Sequence, residues 1–273
     1  MKRLLFLLLA SSVFAACHKN AITNRNQLAL FKEETLQQMA LTEYKTFLSQ
    51  NQVMSETTNK DAEMVRRVGS RIAKAITDYY TQKGATEVLK ELATYKWEFN
   101  LVNNKEVNAW CMPGGKVVVY TGLLPITQNE AALAVVLGHE ITHAVAHHGN
   151  ERMSQGALAQ GLEVAGNIAT SGNSKYNSLF NNVFAPGAQV GFLLPNSRKQ
   201  EYEADHLGLN FAAMAGYNPR EAVPFWQRMA AAGGGQKPPE FLSTHPADEN
   251  RIAKIQSYMN EALTYYKPVG PTR

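Results

Sequence analysis

The sequence predicts an α+β fold that is predominantly helical, with a small β-sheet. Apolar side chains recur at three- and four-residue steps over several long stretches, which indicates amphipathic helices. Only two segments resemble strands: residues 95–103 alternate apolar and polar side chains, and residues 116–124 are rich in β-branched ones. So few strands among so many helices are typical of a helical domain built around a small sheet.

The N-terminus has the pattern of a secretory signal. Lys2 and Arg3 precede a short apolar run, and two alanines come directly before Cys17. This arrangement predicts a signal peptide over residues 1–16. The cysteine after the small pair resembles the lipobox of bacterial lipoproteins, which implies cleavage before Cys17 and a lipid on its sulfur. The alternative is an ordinary signal peptide followed by an incidental cysteine.

Composition excludes some classes of protein. The chain has 27 basic and 23 acidic side chains, and loss of the signal peptide brings its net charge to about +2. That balance gives no basis for nucleic-acid binding. If Cys17 carries a lipid, only Cys111 is left, so no intramolecular disulfide is expected although export would permit one.

The remaining chain divides into three parts. Residues 17–59 are predicted to contain the lipidated N-terminus and a leading amphipathic helix over 27–50, residues 60–267 the main domain, and residues 268–273 a tail. The apolar spacing predicts further helices within the main domain, at about 61–80, 128–148, 197–215, from Pro219 onward, and 247–266.

Residues 156–196 differ in composition from the rest of the chain. Glycine, alanine and asparagine dominate, and only Glu163 and Lys175 are charged. We expect a helix at the start of this segment and irregular structure afterwards. A long irregular loop is often a lid over a functional site. Buried packing and a lipid-facing patch are the alternatives.

The stretch "GHEITH" lies within one of the most apolar predicted helices. Residues four apart on a helix lie on one face, so His139 and His143 can direct their rings at a single ion. Glu140 is adjacent and could accept a proton from a water molecule that the ion activates. This H-E-x-x-H pattern is that of zinc peptidases. The alternative is a pair of core histidines satisfied by hydrogen bonds.

A zinc site of this kind needs a third protein ligand. The extended motif H-E-x-x-H-x-x-G-x-x-H is excluded, because Ala146 and Gly149 occupy its glycine and final histidine positions. His147 and His148 follow too far along an unbroken helix to reach the same ion. We interpret them as hydrogen-bonding residues at the helix end.

The segment "SRKQEYEADHLG" offers a better candidate. Glu201 and Asp205 are four apart and share one helical face, while Glu203 points roughly the opposite way. A carboxylate ligand followed by an acid that orients a ligand histidine is a known arrangement in metal sites. The alternative is a solvated helix face with surface ion pairs.

Four motifs in order resemble the zinc metalloendopeptidase family of BepA and LoiP, to which the CAAX prenyl proteases are more distantly related. The resemblance covers about residues 60–262, and the motifs are "NAWCMPGGKVVVYTGLL", "LGHEITHAVAHH", "SRKQEYEADHLG" and "STHPADENRI". It implies a zincin-like metalloprotease domain over residues 60–267, with an active-site helix, a small sheet and one Zn²⁺ per chain. Within this family the sequence resembles LoiP more than BepA, because it has the lipidation pattern and shows no tetratricopeptide array after the peptidase motifs.

The resemblance also implies roles for individual residues. His139, His143 and Glu201 match the zinc ligands, and Glu140 the catalytic base. Asp205 matches the acid that completes the ExxxD element. Two later residues have open roles: His245 could be a fourth zinc ligand or a transition-state donor, and Arg251 could hold a carboxylate or the oxyanion, or lie on the surface.

The predicted function is therefore a zinc-dependent endopeptidase of the bacterial envelope. Its implied partners are unfolded or misassembled envelope polypeptides and, through the lipid, a membrane. His18 after the cysteine favours the outer membrane, facing the periplasm, by resemblance to the lipoprotein sorting pattern. The strand "GGKVVVYT" could bind an extended peptide if it lies at a sheet edge, the alternative being an interior strand. The rival function is a non-cleaving, chaperone-like binding lipoprotein.

Overall fold

An N-terminal hairpin precedes the helices. The computed structural model describes residues 17–160, 174–184, 197–234, 239–245 and 249–268, so the predicted signal peptide lies outside the described residues. Strand β1 (Cys17–Lys19) pairs antiparallel with β2 (Asn26–Leu28). The side chain of Asn20 forms the turn by accepting hydrogen bonds from the backbone of Ile22 and Thr23.

Helix α1 (Glu33–Gln50) is shorter than the sequence predicts. The prediction of helix from residue 27 is wrong for its first residues, because residues 26–28 pair with β1 instead. Helix α2 (Lys60–Gln82) agrees with its prediction. Asn59 caps its N-terminus, because the Asn59 side chain accepts a hydrogen bond from Ala62 N. Helix α3 (Thr86–Leu92) follows, in a stretch with no predicted element.

The small sheet contains three strands, β3 (Glu98–Val102), β4 (Ala109–Met112) and β5 (Lys116–Tyr120). The spatial order is β3-β5-β4, with β5 parallel to β3 and antiparallel to β4. Strand β4 is missing from the sequence prediction because the glycines after it indicate a break. Gly114 and Gly115, at φ +79° and +82°, instead form the tight connection to β5.

The hypothesis that "GGKVVVYT" is an exposed edge is wrong. All five residues of β5 are buried, and β5 is the central strand. Strand β4 is an outer strand, and no described strand pairs with its other side. It also packs against the helix that contains the H-E-x-x-H motif.

Eight helices described after the sheet form most of the domain. Two 3₁₀ turns (Thr121–Leu123 and Pro219–Glu221) connect some of them. The helices are α4 (Leu124–Thr127), α5 (Glu130–Val145), α6 (His148–Ala159), α7 (Ser174–Phe184), α8 (Ser197–Met214), α9 (Ala222–Gly233), α10 (Glu240–Thr244) and α11 (Glu249–Tyr265). None of these described helices, nor any earlier one, has both the length and the apolar character needed to cross a bilayer.

The helix predicted over 128–148 is two helices. It breaks at His147, whose backbone is left-handed with φ 55°. Such a conformation is uncommon for a residue other than glycine and turns the chain sharply. Helix α6 therefore starts in a new direction at His148, which changes the surroundings of the metal-binding motif.

Part of the segment predicted to be irregular is helical. Helix α7 buries Tyr176, Leu179 and Phe180 in a cluster that includes Phe31 and Leu36 from the α1 region. The expectation of irregular structure is wrong for residues 174–184, whose apolar residues recur at three- and four-residue steps. The rest of the predicted lid, residues 161–173 and 185–196, lies outside the described residues.

The two faces of the sheet contact two hydrophobic clusters. In β5, Val117 and Val119 belong to the larger cluster, which unites α2, α5, α8 and α9. Val118 and Tyr120 face the smaller cluster with α1 and α7. This alternation is the period of two expected for a strand buried on both faces. The larger cluster encloses α5 so completely that every residue from Ala132 to Val145 is buried.

Candidate metal centre

Helix α5 directs two imidazoles at one point. Its N-terminus is capped by Asn129, whose side chain accepts a hydrogen bond from Ala132 N, and the helix continues unbroken through the motif. One turn separates His139 from His143, and their Nε2 atoms are 3.0 Å apart. Both rings are buried, so the two nitrogens meet away from bulk water.

Helix α8 brings a carboxylate to the same point. Glu201 Oε2 lies 3.4 Å from His139 Nε2, and Glu201 Oε1 lies 3.3 Å from His143 Nε2. Burial alone would raise the pKa of Glu201, but the nearby imidazole of His245 and a hydrogen bond from His139 outweigh it and hold this pKa well below its usual range. The carboxylate is therefore ionised.

His245 completes the group from the end of α10. Its Nδ1 lies 2.8 Å from Glu201 Oε2 and 3.1 Å from His139 Nε2. Two backbone bonds hold this residue: His245 N donates to Phe241 O, and Phe241 N donates to Val107 O near the sheet. The far nitrogen of the ring, Nε2, is 3.5 Å from Glu140 Oε1.

These four side chains pass a test of fit to a metal ion. Their donor atoms all lie within 4.8 Å of one another, and the distances given above between pairs of these four side chains are 3.4 Å or less. Two donors bound to one zinc ion at about 2.1 Å each can be at most about 4.2 Å apart. Two imidazoles, a carboxylate and a third imidazole are also ligands that zinc accepts.

The charges favour a cation as well. Burial lowers the pKa of His139, but Asp205 and Glu201 outweigh it and raise this pKa to about 9. Burial lowers the pKa of His143 well below its usual value, so that ring is neutral. Lone pairs of neutral imidazoles and oxygens of a carboxylate repel one another unless positive charge lies between them. The cluster therefore attracts protons or a metal ion.

His139 is oriented by a buried ion pair behind it. Its Nδ1 donates to Asp205 Oδ1 at 2.9 Å, and Arg251 donates to both oxygens of Asp205 at 2.7 and 2.8 Å. Burial would raise the pKa of Asp205, but Arg251 and His139 hold it below its usual value. Arg251 is 1% exposed and stacks on Trp226, 3.7 Å from the ring centre. The surface alternative for Arg251 is wrong.

His143 is oriented by a residue that the sequence assigned only to the helix end. His148 Nδ1 lies 2.8 Å from His143 Nδ1, and His148 Nε2 lies 2.9 Å from Glu203 Oε2. Glu203 does point away from the donor cluster, as the helix geometry predicts. It is not on a solvated face, however, because His148 and the N-terminal hairpin cover it.

Glu140 lies beside the donor cluster with one oxygen free. Its Oε1 is buried without a hydrogen-bond partner in the described part of the chain, and burial raises its pKa. Arg152 on α6 is a polar residue that the sequence analysis did not single out. Burial lowers the pKa of Arg152, while the charges of Glu201 and Glu140 oppose that effect, and its Nη1 donates to Gln200 Oε1 at 3.1 Å.

His147 does not belong to the donor cluster. Its two ring nitrogens contact Glu33, at 3.5 Å, and Glu91, at 2.8 Å. The structure thus brings together His139, His143, Glu201 and His245, with Glu140, Asp205 and Arg251 around them. The side chain of Cys17 lies outside the described part of the chain.

Comparison with known proteins agrees with this geometry. The model of "Peptidase family M48" matches residues 61–259. The chain is 37% identical over 174 residues to the mitochondrial metalloendopeptidase OMA1 of Schizosaccharomyces pombe, covering 63% of this chain and 49% of that protein. It is 30% identical over 261 residues to OMA1 of Bos taurus, covering 92% of this chain and 47% of that protein.

A bacterial relative is also similar. The β-barrel assembly-enhancing protease of Escherichia coli is 28% identical over 169 residues, covering 60% of this chain and 35% of that protein. The chain spans less than half of the length of each of these three relatives. Four observations indicate the same family: the motifs, the fold, the clustered donors and the match over most of the chain. The chain belongs to peptidase family M48, which confirms the family that the sequence motifs predicted.

Proposed function

We propose that this chain is a zinc-dependent endopeptidase of the bacterial envelope that hydrolyses unfolded, misassembled or mislocalised proteins. The observation that carries the proposal is the convergence of His139, His143 and Glu201, with Glu140 buried beside them. The ion is zinc because imidazole and carboxylate donors at this spacing suit it. One ion per chain is expected, since the described residues contain one such cluster.

The residues around the ion divide the chemistry between them. A zinc ion held by His139, His143 and Glu201 would supply Lewis acidity and would lower the pKa of a bound water to near neutrality. Glu140 accepts a proton from the attacking water and transfers it to the leaving nitrogen. Its raised pKa favours the first of these steps, because a more basic carboxylate accepts a proton more readily. Asp205 keeps the Nδ1 proton on His139, so that Nε2 presents its lone pair to the ion.

We expect an extended substrate to bind along the free edge of strand β4. This strand lies at the edge of the sheet and packs against α5. An added peptide strand is held by main-chain hydrogen bonds with little demand on side chains, which favours unfolded segments. Trp110 and Cys111 are half-buried on this strand, and the charge of Glu140 acts on Cys111.

The envelope location and the lipid anchor on Cys17 rest on the N-terminal sequence alone. The membrane attached to such an anchor would be the outer membrane, with the domain in the periplasm. The rival function, binding without cleavage, is disfavoured because Glu140 lies next to a complete donor set. A binding protein would not need a buried carboxylate with a free oxygen at that point.

The test is Glu140→Gln in the full chain, with Glu130→Gln as control because Glu130 is a surface partner of Arg67. We expect the purified parent to contain one zinc, to cleave unfolded casein, and to lose cleavage on chelation. Glu140→Gln should retain zinc and lose cleavage by at least 100-fold, roughly the contribution of a general base. Retained zinc with parental cleavage would overturn the role of Glu140. Absence of cleavage by the parent would favour the binding function.

A further inference from the structure

The N-terminal hairpin contacts the junction between α5 and α6. Asn20 Nδ2 donates to Val145 O at 3.2 Å, and Gln27 Nε2 donates to Ala146 O at 2.7 Å. The last carbonyls of a helix lack partners within the helix, so these bonds stabilise the end of α5. Leu30 N also donates to Ser154 Oγ on α6. The hairpin thus joins two helices that meet beside the metal centre.

Arg25, from this hairpin, holds two carboxylates. Its Nη1 and Nη2 donate to the two oxygens of Glu151 on α6 at 2.7 Å each, and its Nε donates to Glu203 Oε2 on α8 at 3.2 Å. The side chains of Arg25 and Glu203 are only 13% and 17% exposed. Bidentate, partly buried pairs of this kind fix side-chain orientation as well as adding energy.

The bonds continue from Glu203 to a metal ligand. Glu203 Oε2 accepts from His148 Nε2, so His148 Nδ1 has a lone pair that can only accept. Its partner at 2.8 Å, His143 Nδ1, must then carry the proton. The remaining nitrogen, His143 Nε2, is left with its lone pair, and this is the atom that faces the donor cluster. The orientation of one carboxylate thereby selects the tautomer of His143.

We propose that Arg25 is a positioning residue of the metal centre, acting through Glu203 and His148 to hold His143 in the tautomer that binds metal. The two ligand histidines of α5 then have matching supports. Arg251 and Asp205 support His139, and Arg25 and Glu203 support His143 through one additional imidazole. The proposal rests on the role of His143 as a ligand in the proposed function.

A purely structural role for Arg25 makes a different prediction. In that case Arg25 would only attach the hairpin to α6 and α8, and its loss would lower stability without changing the histidine tautomers. The two roles are separable by comparing Arg25→Met with Arg67→Met. Arg67 forms a similar bidentate pair with Glu130, at 2.7 and 2.8 Å, but no chain of hydrogen bonds through the described residues links this pair to the donor cluster.

The experiment uses the full chain with ¹⁵N-labelled histidines, of which there are seven. In the metal-free parent, NMR should show the proton of His143 on Nδ1. Arg25→Met should remove this preference and weaken zinc binding, measured by competition with a chromophoric chelator, by about tenfold or more. Arg67→Met should change neither quantity, and Arg25→Lys should give an intermediate zinc affinity because it retains one charged donor.

Parental zinc affinity and tautomers in Arg25→Met would overturn the proposal, as would a proton on His143 Nε2 in the metal-free parent. The second measurement needs no variant, so it decides the question even if Arg25→Met does not fold. Failure of the parent to bind zinc would instead overturn the proposed function. The tautomer measurement would still test the bonded route from Glu203 to His143.

Discussion

Gly138 on α5 and Gly208 on α8 are in direct backbone contact. A Cβ added to Gly138 would lie 2.4 Å from Gly208 O, and one added to Gly208 would lie 2.6 Å from His139 N. No side chain fits in this space, so the two helices approach closely only because both positions are glycine. This approach is what brings Glu201 from α8 to the histidines of α5.

Gly208→Ala should therefore weaken both the fold and the metal centre. We expect the free energy of unfolding to fall by about 1–3 kcal/mol, as for other overpacked cores, and zinc affinity to fall because Glu201 moves away from His139. Urea denaturation of the metal-free chain and chelator competition measure the two effects. Gly234→Ala is the control, since the nearest atom there is 3.6 Å away. Parental values for Gly208→Ala would contradict this account.

His245 should restrict the activity of the resting enzyme. Its Nδ1 is within 3.1 Å of both His139 Nε2 and Glu201 Oε2, where it can serve as a fourth donor. Because catalytic zinc sites keep one position for water, we expect His245→Ala to retain zinc and to cleave unfolded casein faster than the parent. His206→Ala is a surface control, since His206 pairs with Glu261. Loss of cleavage with zinc retained would instead identify His245 as a transition-state donor.

Substitution of the outer strand should affect substrate binding. Tyr120 N donates to Asn108 O, so by the alternation of an antiparallel pair the backbone N–H of Cys111 faces away from β5. Proline is tolerated at such edge positions but removes the donor. We expect Cys111→Pro to raise KM for casein several-fold, with zinc content unchanged. Cys111→Ala controls for the loss of the thiol, and equal KM for both variants would argue against strand addition on β4.

Stability should depend on pH through His147. Burial lowers its pKa, but Glu33 and Glu91 outweigh burial and raise it above the usual value. A histidine with a raised folded pKa contributes stability that is complete below the unfolded pKa of about 6.5 and is lost as pH rises through the folded value. His147→Gln should thus be less stable than the parent by about 1–3 kcal/mol below pH 6, with a smaller difference at pH 9.

Urea denaturation at several pH values, with a chelator present, measures this difference apart from metal binding. Lys74→Gln is a suitable control, because Lys74 forms an exposed ion pair with Asp78. If the difference in unfolding free energy between His147→Gln and the parent stays constant from pH 5 to pH 9, Glu33 and Glu91 do not stabilise the protonated form of His147.

Local sequence patterns predicted the two helices that carry His139, His143 and Glu201, but not the short helix α10 before His245, a stretch that the sequence predicted to be loop. Both α5 and α8 were predicted, and the four-residue spacing of His139 and His143 is a direct result of helix geometry. The position of Glu201 relative to them depends on the contact between Gly138 and Gly208. Helical periodicity contains no information about such a contact, so the residues alone offered Glu201 as a candidate ligand, and the family resemblance then implied the same role.

The sequence could not predict the orientation of the His148 ring. On an unbroken helix His148 would lie about 140° around the axis from His143 and could not face it. The left-handed backbone of His147 turns α6 so that the His148 ring packs against His143. That backbone conformation accompanies contacts of His147 with Glu33 and Glu91, which lie far away in the chain. Strand β4 was missed for a simpler reason, since the tight connection after it was interpreted as the end of regular structure.

The early position of Arg25 affects where the chain can be shortened for laboratory work. The match to the family model begins at residue 61, and the first long helix begins at Glu33. Truncation at either point would discard β1 and β2, together with the amides that complete the end of α5. A recombinant polypeptide that starts at Cys17 retains all of these groups. The smallest version suitable for enzymology is therefore about forty residues longer than the match to the family model alone would suggest.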